Sequence, residues 1–333
     1  MLVVRPAGPD DYDALMKLAV ASGPGFTSLP EHEPTLRERL TLSRDSFDGS
    51  APRDRQRFTL MLEETDTGEV LGVAAAAVAV GVSRPFVSFR MMTFAQTSPS
   101  LGIRHDHRAL VMVNECAGWS EVGSLFLRPE HRKGGAGTLL ARSRYLMIAA
   151  APQRFAETVL AELRGFFDAN DRSPFYDEIM CKFFRRPFKE VDDLIGSTDG
   201  QFIFDLAPRH PIYIELLPER SRELIGAVHP QGEAARALLE KEGFRECGLV
   251  DVFDAGPTVT CRRDDIRTVR DSRRRPVRIG DPAGGSAGLI AVDDLAAFRA
   301  TRAAFLEEDG AVILDPSVAD ALRVGEGDGV RVI

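Results

Sequence analysis

The sequence predicts a mixed α/β (α+β) fold: a mixed central sheet flanked by helices, with insertions and a small, mostly β C-terminal module. Three observations predict it. Strand-like apolar runs and helical patterns interleave over the first 260 residues. A strand feeds a glycine-rich turn and then a helix at 121–141. Short strands with little helix between them fill the last fifty residues.

Leu2–Arg5 reads as a short strand closed by Pro6. Pro9-Asp10-Asp11 opens a helix that sets Tyr12, Leu15, Leu18 and Ala19 on one face. The stretch 22–30 is rich in Gly, Ser and Pro and reads as a loop, and a second helix from Pro34 aligns Leu36, Leu40 and Phe47. Arg57–Glu63, the turn Thr65–Gly68 and Val70–Val82 read as a hairpin; residues 84–120 are less regular. Thr158–Leu163 reads as a strand, and Ser173-Pro174 opens a helix reaching Phe184. Ala234–Glu242 reads as a helix closed by Gly243, and Phe244 begins the next strand. Residues 262–278 carry eight arginines and read as a solvated connecting helix or linker, with a phosphate or succinyl contact as the alternative. Beyond it come strands at Leu289–Val292, Ala311–Leu314 and Val330–Ile333, with a helix at 316–323. The expected division is 1–260 as one domain, with a helical insertion near 165–230, and 261–333 as linker and β-rich module.

The stretch Glu121–Ala141 organises the chain. Ser124–Leu127 reads as a buried strand and Pro129 ends it. Arg132-Lys133-Gly134-Gly135-Ala136-Gly137 then opens a helix with Leu139, Leu140, Ser143 and Met147 on its inner face. Backbone N–H groups at such a helix start have no partner within the helix, and together with the helix dipole they favour an anion, usually a phosphate. Glycine lets the ligand approach the backbone. Lys133 precedes the glycines, which excludes a Walker loop, and Leu140 stands where a dinucleotide fingerprint needs Gly or Ala. The pattern strand–P–x–x–R–x–x–G–x–G–x–x–L resembles motif A of the GNAT superfamily of CoA-dependent N-acyltransferases. That resemblance implies a GNAT-like sheet, with Arg132, Lys133, Gly135 and Gly137 on the CoA pyrophosphate and Leu125 and Leu127 along the pantetheine arm.

Composition narrows the class. Net charge is −8, so nucleic acid is not an expected partner and an anionic ester must be attracted locally. The four cysteines have no CxxC spacing, and no metal site or resident cofactor is expected. The alanine-rich run Val73–Val82 is too short to span a bilayer, so the expectation is a cytoplasmic protein without a membrane partner.

A narrower resemblance follows from motifs that occur in one order: Gly23–Pro30, Leu125–Leu127, Ser173–Phe175, His210–Tyr213, Gly226–Gln231, Glu242–Phe244 and Phe253–Thr258. The set resembles the arginine N-succinyltransferases over residues 1–260. It implies succinyl-CoA as co-substrate, L-arginine as acceptor, direct attack of the α-amino group in a ternary complex, and a homo- or hetero-oligomer. It also implies that His229 is the acid–base residue, with Tyr176 and Tyr213 as the alternatives. Two other readings are a GNAT enzyme using another acyl-CoA or an amine such as ornithine, and a catalytically retired subunit. The chemistry needs a deprotonated amine, a donor to the thioester carbonyl and a proton for the leaving thiolate.

Overall fold

The computed structural model describes residues 1–23, 26 and 28–333; of the loop expected at 22–30, Pro24, Gly25 and Thr27 lie outside the described residues. Strand β1 (Leu2–Pro6) leads into helices α1 (Tyr12–Ser22) and α2 (Glu33–Phe47). Strands β2 (Arg57–Glu64) and β3 (Glu69–Ala77) form one hairpin, and β4 (Ser88–Ser98) and β5 (Ile103–Val113) another. Strand β6 (Ser120–Leu127), helix α3 (Ala136–Ala150) and strand β7 (Thr158–Glu162) follow. Next come α4 (Cys181–Phe184), α5 (Phe188–Ser197), α6 (Gln201–Leu206), the two-residue β8 (Ile212–Tyr213), α7 (Glu219–Leu224) and α8 (Glu233–Glu242). Strands β9 (Arg245–Asp251) and β10 (Pro257–Arg262), helix α9 (Arg267–Asp271) and strand β11 (Arg273–Ile279) lead to the end of the chain. There lie β12 (Ser286–Val292), β13 (Ala300–Glu308), β14 (Ala311–Leu314), α10 (Pro316–Leu322) and β15 (Gly329–Val332).

The strands lie in the order β1-β2-β3-β6-β7-β10-β9-β4-β5-β8. Every step is antiparallel except β6–β7, which is parallel, so this is a mixed sheet. Beyond β1, strands β12-β15-β11-β14-β13 close on themselves through β13–β12, giving a five-stranded ring. Val277, Ile290, Val312, Leu314 and Val330 form its buried interior. The ring joins the sheet where β13 pairs with β1, Val3 opposite Thr301.

Helix α3 is buried along most of its length because Leu139, Leu140, Tyr145, Leu146 and Met147 pack into the main core. Helices α1 and α2 cover the opposite face, where Leu15, Leu18, Leu36 and Leu40 meet Met61, Val73 and Phe126. The helical stretch after β7 packs its own core, Phe175, Tyr176, Met180 and Phe184, against Phe89, Leu110 and Val250 of the sheet.

Three expectations need correction. The strand expected to reach Val82 stops at Ala77: the chain turns at Gly81 (φ 71°), and Val80 instead exchanges backbone hydrogen bonds with Gly118 and Trp119. Residues 88–113, which read as less regular, form the hairpin β4–β5 of two eleven-residue strands. Its outer half is exposed, so its residues are polar and show no apolar alternation. The arginine-rich stretch is not a linker throughout. Arg273–Ile279 is a ring strand, and its arginines pair with Glu307 (Arg273, Arg275) and Asp293 (Arg274). Among the described residues, no helix is long and apolar enough to cross a membrane.

Candidate functional site

The site starts from the one parallel step in the sheet. Strands β6 and β7 pair only at Ser120–Val159 and Glu121–Leu160, and beyond Glu121 they part. The backbone groups of β6 that face β7 then have no neighbouring strand to bond. A bulge sits in the same segment: between Val73↔Phe126 and Ala75↔Gly123, residues Ser124 and Leu125 both stand opposite Ala74. Ser124 takes φ 50° to make it. The buried Arg144 of α3 donates to the Gly123 carbonyl at 3.3 Å, which helps hold the bulge.

The gap opens into a cleft of about 1,150 Å³. At one end lies the start of α3. Gly135 caps the helix in the left-handed region (φ 86°), and no side chain caps it. The first intrahelical bond from this turn is Leu139 N–H to Gly135 O, which leaves the N–H groups of Ala136, Gly137 and Thr138 without a partner within the helix. The two glycines differ. Gly135 is required by its backbone conformation, and a Cβ there would stand 2.9 Å from an Arg302 guanidinium nitrogen. Gly137 has ordinary helical geometry, and a Cβ there would meet only Leu127 Cδ2 at 3.8 Å. Nothing in the fold demands glycine at 137.

Six of the residues singled out in the sequence line this cleft: Leu125, Leu127, Arg132, Gly135, Gly137 and His229. Lys133 does not; it is exposed and off the cleft wall. Arg132 is partly committed to the fold, because its Nε donates to the Leu127 carbonyl at 3.0 Å and its guanidinium lies 5.8 Å from the Phe126 ring centroid.

His229 is held on the β7 side. Its backbone N–H donates to Arg164 O at 2.8 Å, and its Nδ1 accepts from the Gln231 N–H at 3.2 Å. An accepting Nδ1 assigns the neutral ring its proton at Nε2. Burial and the nearby Arg164 push its pKa below the ordinary histidine range. The segment after β7 is fixed by Asp254, whose carboxylate accepts from the N–H groups of Gly165 and Gly256, each at 2.8 Å. A Cβ on Gly165 would come within 2.2 Å of the Asp254 carbonyl oxygen, so only glycine fits there.

His229 is the one histidine on the cleft wall among the described residues. His32 bonds Thr35, while His105 and His107 meet edge-to-face beside Glu215. The alternative acids are elsewhere. Tyr176 is buried with its hydroxyl donating to Arg186 O, and Tyr213 lies at the exposed sheet edge against His107.

Charged residues that the sequence reading did not pick out complete the cleft. Glu121, Glu162, Asp251 and Asp254 line it near β7. Burial, then Asp251, pushes Asp254 up to about 8, and burial, then neighbouring carboxylates, pushes Glu162 well above its ordinary value. Arg39, Arg57 and Arg84 line another part. One signal was available: Glu162 is a lone acid in the apolar run Val159–Leu163. The arginines are scattered along the chain, and Arg302 reaches the glycine turn only because β13 joins the sheet.

Fold and cleft define a class: a mixed α/β protein whose cleft lies between two separating parallel strands and ends at a free helix N-terminus. A family model described as the arginine N-succinyltransferase beta subunit matches residues 2–268, and one described as its C-terminal domain matches 273–333. Arginine N-succinyltransferases of Shigella sonnei and Salmonella newport are 39% and 40% identical, with 100% of this chain and 97% of each relative covered. The solved arginine/ornithine succinyltransferase subunit AI from Pseudomonas aeruginosa matches with TM-score 0.92 and 33% identity, over 100% of this chain and 98% of that one. The chain belongs to the arginine N-succinyltransferase family.

Proposed function

We propose that the chain is an acyltransferase of GNAT type that moves the succinyl group of succinyl-CoA to the α-amino group of L-arginine. The observation that carries this reading is the parting of β6 and β7 beside a glycine-rich helix start. It supports a thioester laid along β6 with its pyrophosphate at the N–H groups of 136–138. The carboxylates Glu121, Glu162 and Asp251 suit an acceptor that is a cation. Family membership and the arginine/ornithine description of the Pseudomonas relative support arginine as acceptor, with ornithine as the second amine to test. The subunit naming of that relative supports assembly into a homo- or hetero-oligomer. A cytoplasmic location is part of the proposal; among the described residues no helix is long and apolar enough to cross a membrane.

In this reading the amine, once deprotonated, attacks the thioester carbon. A carbon–nitrogen bond forms, the carbon–sulfur bond breaks and the CoA thiolate takes up a proton. The Leu125 N–H, at the bulge, is the donor to the developing oxyanion. His229, neutral with its proton at Nε2, donates a hydrogen bond to the leaving sulfur, and the thiolate takes the second proton that the attacking nitrogen loses as the amide forms. Glu162, made a stronger base by burial and the neighbouring carboxylates, accepts the ammonium proton.

The test is CoA release from succinyl-CoA with arginine, ornithine, lysine, Nα-blocked arginine or no amine. The proposal expects arginine to be fastest and the blocked amine to be inert. Tight CoA binding without release in any mixture would point to a retired subunit instead.

A further inference from the structure

We infer that Arg39, Arg57 and Arg84 form a binding site for a carboxylate, and that this carboxylate is the free end of the acyl group. The inference rests on the proposed reaction and adds the residues that select its acyl donor.

The three guanidinium groups come from α2, the start of β2 and the turn after Gly81, and they line the same cleft. Arg57 Nη2 donates to Ser124 Oγ at 2.9 Å, and Ser124 Oγ donates to Ser28 O at 3.0 Å. Arg39 Nη1 donates to the same Ser28 carbonyl. Arg84 Nη2 donates to Ile195 O at 2.6 Å. Among the described residues, none of the three is ion-paired with a carboxylate. Arg57 Nε is buried with no hydrogen-bond partner among the described residues. The acids whose charge reaches them, Glu121 and Glu38 at Arg39 and Asp199 and Glu38 at Arg84, form no ion pair with them, and Glu38 lies 3.9 Å from Arg55.

A fold does not gather three like charges on one wall for its own stability. Burial, with Arg57 and Arg84 close by, pushes Arg39 down to about 9. A guanidinium that lacks an acceptor is completed best by a planar carboxylate, through two parallel N–H···O bonds. Position identifies which one. Arg57 bonds Ser124, the residue before Leu125, and neighbouring Cα atoms are about 3.8 Å apart. Arg57 therefore bonds the residue next to the N–H proposed to polarise the thioester, which puts this wall within reach of a four-carbon dicarboxylic acyl chain. A monocarboxylic acyl group of the same length would leave them unpaired, so the site discriminates by charge.

The same chemistry is present in the acceptor's α-carboxylate, and the experiment separates the two sources. Succinyl-CoA is compared with butyryl-CoA, which keeps the chain length and lacks the charge, and arginine with argininamide. The enzymes are wild type, Arg57→Gln and Arg84→Gln. Calorimetric binding of both thioesters without amine gives the same comparison where butyryl turnover is slow. Losing a charged hydrogen-bond partner is expected to lower kcat/KM for succinyl-CoA about 10- to 100-fold. Butyryl-CoA should stay within about two-fold, with either amine. Arg84 is exposed on a loop, so its variant reads out the site even where Arg57→Gln fails to fold. Equal losses for both thioesters overturn the inference. Losses confined to arginine and absent with argininamide also overturn it, assigning the site to the acceptor. Wild type inactive with succinyl-CoA and every amine would sink the proposed reaction itself. An active wild type whose variants keep the succinyl-to-butyryl ratio sinks only this inference.

Discussion

Gly137→Val separates a glycine kept for a ligand from one kept for the fold. Gly137 has ordinary helical geometry, and its Cβ position meets one leucine methyl at 3.8 Å. Valine is intrinsically no worse than glycine in a helix. Folding stability should therefore change by less than about 1 kcal/mol, a shift of under about 2 °C in Tm for a chain of this size. The isopropyl group would nevertheless stand before the N–H groups of 136–138. Each charged hydrogen bond lost there is worth roughly 1.5–3 kcal/mol, so the Kd for CoA should rise by about 10- to 10³-fold. Gly135→Val is the contrast: φ 86° imposes about 1–2 kcal/mol of backbone strain, and the new Cβ meets Arg302 at 2.9 Å, so this variant should melt earlier. Differential scanning calorimetry and titration calorimetry with CoA measure both. A Gly137→Val protein that binds CoA as tightly as wild type would refute the argument and leave the turn as scaffold.

Other outcomes follow from the same geometry. His229→Phe, which keeps a flat ring and removes the Nε2 donor, should lower turnover about 10²- to 10³-fold and abolish an acid limb that lies below the usual histidine range, because burial and Arg164 depress its pKa and protonation at Nδ1 breaks the bond from Gln231; a pH–rate profile checks this. Arg302→Gln, at the glycine turn, should raise KM for the thioester several-fold and leave KM for the amine unchanged, measured by steady-state kinetics. Asp254, pushed up to about 8 by burial and Asp251, keeps in the native state a proton that the unfolded chain loses near pH ~4. Its contribution is fully present below that pH and lost as pH rises through about 8. Melting temperature should therefore fall from pH 5 to pH 9, less steeply in Asp254→Asn. Tyr176→Phe should cost about 1 kcal/mol of stability, since the hydroxyl bonds Arg186 O, and leave kcat within a few-fold because the ring is off the cleft.

The parts legible in the sequence were those written in local chemistry. Pro129, the glycine turn and the apolar face of α3 specify a strand, an anion-binding turn and a buried helix within thirty residues. Gly243, at φ 104°, marks the end of α8 in the same local way. What could not be read depends on contacts distant in sequence. The β4–β5 hairpin is held by cross-strand bonds between partly exposed polar residues, so it has no apolar period. The ring strand Arg273–Ile279 looked solvated because its charges are neutralised by Glu307 and Asp293, one from a strand and one from a loop that follow it. In the site, the glycines and His229 sit in recognisable motifs. Arg57 and Arg84 gain meaning only where the bulge at Ser124 and the parting of β6 from β7 bring them to one wall.

The central claim is succinyl transfer to the α-nitrogen of arginine, and product identity tests it most directly. The protein is incubated with succinyl-CoA and equimolar arginine, ornithine and lysine, and tandem mass spectrometry locates the new acyl group. The account predicts that Nα-succinylarginine is the main product. A main product from ornithine or lysine, or arginine acylated on its side chain, would contradict it.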